Sequence, residues 1–155
     1  MENDKTKRII LHFSRTLCVL IFVFPFFVVP AAHAAELSLI SPDAAFGISQ
    51  QFEVTFFMDT RGETINAIEG QLAFPDALLA FENVSDGNSL INIWIRRPGP
   101  DGIGRIAFSG ITPGGFQIAN GKIFSAVFRT KKQGNGTLEL HDIKTLLNDG
   151  KGTET

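Results

Sequence analysis

A chain of 155 residues, 44% hydrophobic and 19% charged with a formal net charge of −2, has room for one domain and an appendage. It lacks the basic stripe on which nucleic-acid binding depends. A single cysteine excludes an intramolecular disulfide, so stability must come from an apolar core alone.

The appendage is at the front. Lys5, Lys7, Arg8 and Arg15 form a basic region, and the uncharged run Thr16–Val29 is 14 residues long. Pro30 and the small-x-small site Ala32-His33-Ala34 follow, which is the layout of a secretory signal peptide cleaved after Ala34. The run is short against the roughly 20 residues of a spanning helix, so contact with the membrane is expected only during export, and the product is expected to be secreted or at the cell surface. Residues 1–34 take four basic and two acidic side chains from totals of 14 and 16, leaving 10 and 14 and a net charge of −4 for residues 35–155. The cysteine and two of the three histidines leave with them.

Residues 35–155 read as short strands separated by turns. Leu37 and Leu39 mark a first strand closed by Ser41-Pro42-Asp43. In Gln51–Met58 the apolar Phe52, Val54, Phe56 and Met58 alternate with other residues, the period of a half-buried strand. Ile65–Phe74 directs Ile68, Leu72 and Phe74 one way and Ala67, Glu69, Gln71 and Ala73 the other. A strand near Leu79–Asn83 follows, and Leu90–Arg97 carries the only tryptophan, Trp94, before a break at Pro98-Gly99-Pro100-Asp101-Gly102. Ile106 and Phe108 mark the next strand, broken at Thr112-Pro113-Gly114-Gly115. After Gly121, Phe124, Ala126 and Phe128 share a face, and Thr137–Leu147 closes the series with Leu138 and Leu140 inward. This spacing, without a long helical period, predicts an all-β sandwich.

Taken in order, INAIEGQLAFPDALLAFENV, IWIRRPGPDGIGRIAFSGITPGGF, GKIFSAVFRTKKQGNGTLEL and LLNDGKGT resemble a cohesin domain over nearly all of residues 36–153. The resemblance implies a jelly-roll sandwich of eight to nine strands that binds a dockerin-type module and carries no catalytic centre or cofactor. Cohesins carry an Asn-x-Asp pair on the third strand facing the dockerin. Those positions fall on Ala67 and Glu69, so the acid is kept in kind and the amide is lost, with Asn66 one step away on the opposite face. Ala67, Glu69 and Gln71 are therefore the candidate partner-binding residues, and Ser109, Arg105 and Arg129 candidates to extend that surface. The resemblance also implies a last strand after Asn148-Asp149-Gly150 that pairs back near the N-terminus. With only a few residues after that turn, this strand is expected to be short or missing.

Other chemistries find little support. His141 is the only histidine after residue 34, and no G-x-S-x-G elbow accompanies it. Glu63, Glu69, Asp76, Glu82 and Asp101 form no pattern of paired carboxylates. Counting back from Gly150 as the sixth residue of a calcium loop puts Leu147 at a ligand position, which leucine cannot fill, so no metal site is expected. Two alternatives remain open: a carbohydrate-binding module on the same sandwich, and a surface or adhesion domain without a dockerin partner. A sugar platform needs several exposed aromatics, whereas this chain has one tryptophan and no tyrosine.

Overall fold

The computed structural model describes residues 34–42 and 45–155; the expected export segment, save Ala34, lies outside them. Eight strands follow in chain order: β1 (Glu36–Ile40), β2 (Gln51–Asp59), β3 (Ile65–Ala73), β4 (Leu79–Ser85), β5 (Ile93–Pro100), β6 (Arg105–Phe116), β7 (Gly121–Thr130) and β8 (Glu139–Leu147). They form two four-stranded sheets, ordered β1–β2–β7–β4 and β5–β6–β3–β8, with every pairing antiparallel. No helix occurs among the described residues. The expected all-β sandwich is what forms.

The alternation of β2 explains the first sheet. Phe52, Val54, Phe56 and Met58 are all buried, and in register opposite them β7 supplies Phe124, Ala126 and Phe128. The second sheet answers with Ile68 and Leu72 from β3 and Ile106 and Phe108 from β6. Three rings join the layers: Phe108 lies 5.5 Å from Phe56 and 5.0 Å from Phe124, centroid to centroid, and Phe56 meets Phe124 edge-on at 5.6 Å. Such tilted contacts add to the burial term because each ring's positive edge meets another's negative face. Gly70 makes room for them. A Cβ there would sit 2.2 Å from Ile143 Cδ1 and 3.2 Å from Phe108 Cζ, so any larger residue displaces the core. No buried side-chain nitrogen or oxygen among the described residues lacks a hydrogen-bond partner.

Three stretches depart from the sequence-based expectation. Pro98-Gly99-Pro100 belongs to β5 rather than to a turn; β5 is an edge strand, and its register shifts between Trp94 and Arg96 and between Arg96 and Gly99. An edge strand tolerates proline because its outward N–H groups need no partner. β6 likewise runs through Thr112-Pro113-Gly114-Gly115 to Phe116, with the two glycines absorbing the irregularity at φ 86° and 72°. Finally, among the described residues no ninth strand pairs with β1. The segment after the Asn148-Asp149-Gly150 turn folds back along β8, through Leu147 N–H to Thr153 O (2.9 Å), Thr155 N–H to Thr145 O (3.1 Å) and one bridge, Leu146 to Glu154. Asp149 holds this turn by accepting the Lys151 N–H and the Thr153 hydroxyl.

Replacing Phe124 with alanine removes the ring that touches Phe56, Phe108 and Trp94 together. Chemical denaturation should show a loss of about 3–5 kcal/mol with an unchanged denaturant slope.

Candidate functional site: the outer face of the β5–β6–β3–β8 sheet

Strand β3 is internal to its sheet, flanked by β6 and β8. With Ile68, Gly70 and Leu72 buried, Glu69 and Gln71 must lie on the outer face, because strand side chains alternate. A register shift between Ile65 and Ala67 precedes them on both sides: against β8 Asn66 is the extra residue of a bulge, whereas against β6 the extra residues are Thr112–Gly115 of β6 itself. Asn66 is therefore not turned into the core as simple alternation predicts: it is half-buried, and its side-chain amide donates to Asn148 Oδ1 at 3.3 Å.

Cross-strand register arranges the outer face in rows. The first contains Ile93, Ile111, Ala67 and Leu146, one residue from each strand. None of the four belongs to the buried core cluster. The second row contains Arg96, Ser109, Glu69 and Lys144, and the third Gly99, Ala107, Gln71 and His141. Ile93 is 50% exposed, and Ile95, the extra residue where the β5 register shifts, is 69% exposed. The three candidates of β3 thus stand in three successive rows: Ala67 among aliphatic side chains, Glu69 among charges and Gln71 beside His141.

The charges are paired but wet. Lys144 Nζ lies 3.6 Å from Glu69 Oε1, and Arg96 Nη2 is 2.8 Å from Asp101 Oδ1. Exposed pairs of this kind contribute little to stability and stay available to a partner. His141 faces Glu139 at 3.2 Å on the surface, opposite Gln71 in register. Ser109 and Arg105 lie on this face, opposite Glu69 and Ala73. Arg129 does not. It stands on β7 in the other sheet, where its guanidinium binds Glu82, so it cannot extend the surface. Trp94 alternates inward and meets Phe124 edge-on at 6.4 Å.

Beside this face, Arg97 donates to both carboxylate oxygens of Asp86 at 2.9 and 2.8 Å, tying the end of β4 to the irregular part of β5. That bidentate contact holds the Asp86 carboxyl below its ordinary 3.8. A cleft of about 360 Å³ elsewhere, lined by Phe46, Phe52 and Leu138, has Lys132 as the single charged lining residue among the described residues. Among the described residues no group of three or more His, Cys, Asp and Glu is placed to hold a metal ion.

No protein-family model and no curated protein matches the sequence. Solved structures do match. A non-cellulosomal cohesin from the hyperthermophilic archaeon Archaeoglobus fulgidus aligns at a TM-score of 0.62 with 21% identity, covering 77% of this chain and 83% of its own. The fold is that of a cohesin module. The cohesin module of a family 33 glycoside hydrolase from Clostridium perfringens gives 0.66 with 9% identity, covering 79% and 88%. The sixth cohesin of Acetivibrio cellulolyticus scaffoldin B, solved in complex with a mutant Cel5 dockerin, gives 0.63 with 10% identity, covering 78% and 90%. At these identities the likeness extends to the cohesin fold and not to individual side chains. The aliphatic first row has no signature in the linear sequence, because register across four strands is non-local. Only Ile93 and Ile95, alternating with inward Trp94, carry a local signal.

Asp86 is a carboxylate with a depressed folded value, so its stabilising share is present above the ordinary value and lost as pH falls through the folded one, below about pH 4. Carboxyl titration by NMR should place the Asp86 midpoint under 3.8, and Arg97→Met should return it towards 3.8.

Proposed function

We propose that this chain is exported and that its sandwich is a non-catalytic module that binds a dockerin-type partner on the outer face of the β5–β6–β3–β8 sheet. The observation that carries the reading is that face itself, on a cohesin fold: an aliphatic row beside a charged row, both crossing β3. A protein surface built to associate joins an apolar centre to a polar rim, and this arrangement supplies both. Glu69 stands at the boundary between them, with Ala67 on the apolar side and Gln71 on the polar side. Support also comes from Trp94: with its ring against Phe124, the sole tryptophan is withdrawn from the flat aromatic platform that a carbohydrate module uses.

Calorimetric titration of the chain with a panel of calcium-loaded dockerin modules tests this. At least one should bind with a dissociation constant near or below the micromolar range, about −8 kcal/mol or stronger. Glu69→Lys, which reverses the charge in the middle of the face, should weaken that binding by about tenfold or more, equivalent to roughly 1.4 kcal/mol. Silence towards every dockerin from a folded chain refutes the reading, and saturable binding of soluble glucans instead would move it to a carbohydrate module.

A further inference from the structure

We infer that the outer edge of β1 pairs with itself: a second copy of this chain adds its own β1, antiparallel, about a two-fold axis at Ser38. This edge belongs to the other sheet and is independent of the face proposed above. β1 pairs with β2 alone, so its far side has no strand partner among the described residues. The direction of its backbone groups follows from its neighbours. In an antiparallel pair, successive residues turn their N–H and C=O groups alternately toward the partner and away from it. Thr60, one residue past β2, donates its N–H to Ile118 O at 2.8 Å, on the β7 side of β2. Asp59 and Phe57 therefore face β1, and their register partners Glu36 and Ser38 face them in return. Leu37 and Leu39 are left pointing outward. Ala35 agrees with this phase, since its N–H goes to Thr155 Oγ1 at 3.4 Å rather than to β2.

The open edge is thus the N–H and C=O of Leu37 and of Leu39, and its own copy is the strand that matches it. An axis at Ser38 sets Leu37 opposite Leu39 of the second copy and Leu39 opposite its Leu37, so every one of these groups exchanges a hydrogen bond across the axis. Other axes fit less well. One at Leu37 would set Leu39 against Ala35, whose N–H is already taken, and one at Leu39 would set Leu37 against Ser41, outside the strand. The side chains follow the same symmetry. Leu37 and Leu39 pack against the core cluster and meet their counterparts on the inner side, carrying the apolar layer across the axis. Ser38 is exposed and small, and it meets its own copy on the outer side without a clash of charge. The two four-stranded sheets then run on as one. With only five residues in the strand the contact is small, so the dimer is weak and depends on concentration.

The test follows amide hydrogen exchange and sedimentation of the full chain from micromolar to millimolar concentration. Exchange at Leu37 and Leu39 should slow as the dimer forms, while Ser38, whose N–H already bonds β2, stays unchanged. Ser38→Lys sets two cations against each other on the axis and should weaken association by about tenfold or more, without altering thermal unfolding at low concentration. Cysteine linking in a Cys18→Ser background reads the register. Ser38→Cys should give a covalent dimer on oxidation with diamide, because a non-hydrogen-bonded pair sets its Cα atoms about 4.5 Å apart, within disulfide reach. Glu36→Cys, which stands opposite Ile40 of the second copy, should not link alone and should link when mixed with Ile40→Cys. A monomer at millimolar concentration, protection at Leu37 and Leu39 that ignores concentration, a dimer indifferent to Ser38→Lys, or ready linking by Glu36→Cys alone overturns the inference.

Discussion

The contact on which this structure depends is the meeting of Phe108 with Phe56 and Phe124 across the sandwich. A sheet stable on one face only must bury that face, and here the two inner faces close on each other through three rings in tilted contact. Phe108 can approach because β3 has glycine at position 70, opposite it in register. The same glycine determines what β3 shows to the outside. With position 70 committed inward, its neighbours Glu69 and Gln71 are committed outward, and no rearrangement of the surface alone can exchange them.

The strands whose alternation is strict are legible in the amino-acid sequence. On β2 the apolar Phe52, Val54, Phe56 and Met58 alternate with less buried residues and the fold buries them accordingly; on β7 Phe124, Ala126 and Phe128 are buried as the period predicts, but Ser125 between them is buried too, its hydroxyl against Thr55. Legibility fails where an edge or a bulge relaxes a local rule. Pro98 and Pro100 break a central strand but not an edge strand, and Gly114 and Gly115 bend β6 without ending it. The fold-back of Thr153–Thr155 onto β8 has no periodic signature, since a single bridge is too short for one. At the site, Glu69 and Gln71 follow from the β3 pattern. Their neighbours Lys144 and Ser109 do not, because pairing joins residues 75 and 40 positions away in sequence. The bulge at Asn66 is equally silent in the sequence, yet it determines which residue of β3 meets Leu146.

The edges of the two sheets bear on the proposed association through a face. β5 carries two prolines and two register shifts, and β8 is overlaid near Leu146 by the returning segment. On β4, the exposed Glu82 is drawn to Arg129 of the neighbouring strand, and the register shifts beside it. Each device discourages the addition of a foreign strand. Among the described residues the outer edge of the short β1 has no pairing strand, and the outer surface of the β5–β6–β3–β8 sheet stays open with its aliphatic and charged rows.

The aliphatic row stands apart from the core cluster, and this separation has an evolutionary meaning. Substitutions at Ile93, Ile111, Ala67 and Leu146 alter what the surface fits without reshaping the phenylalanine interior that keeps the chain folded. A lineage can then exchange one partner for another through single steps that all fold, while the interior stays under strict selection. The module is in that sense a fixed frame around a rewritable panel, and divergence between copies should accumulate on the panel first.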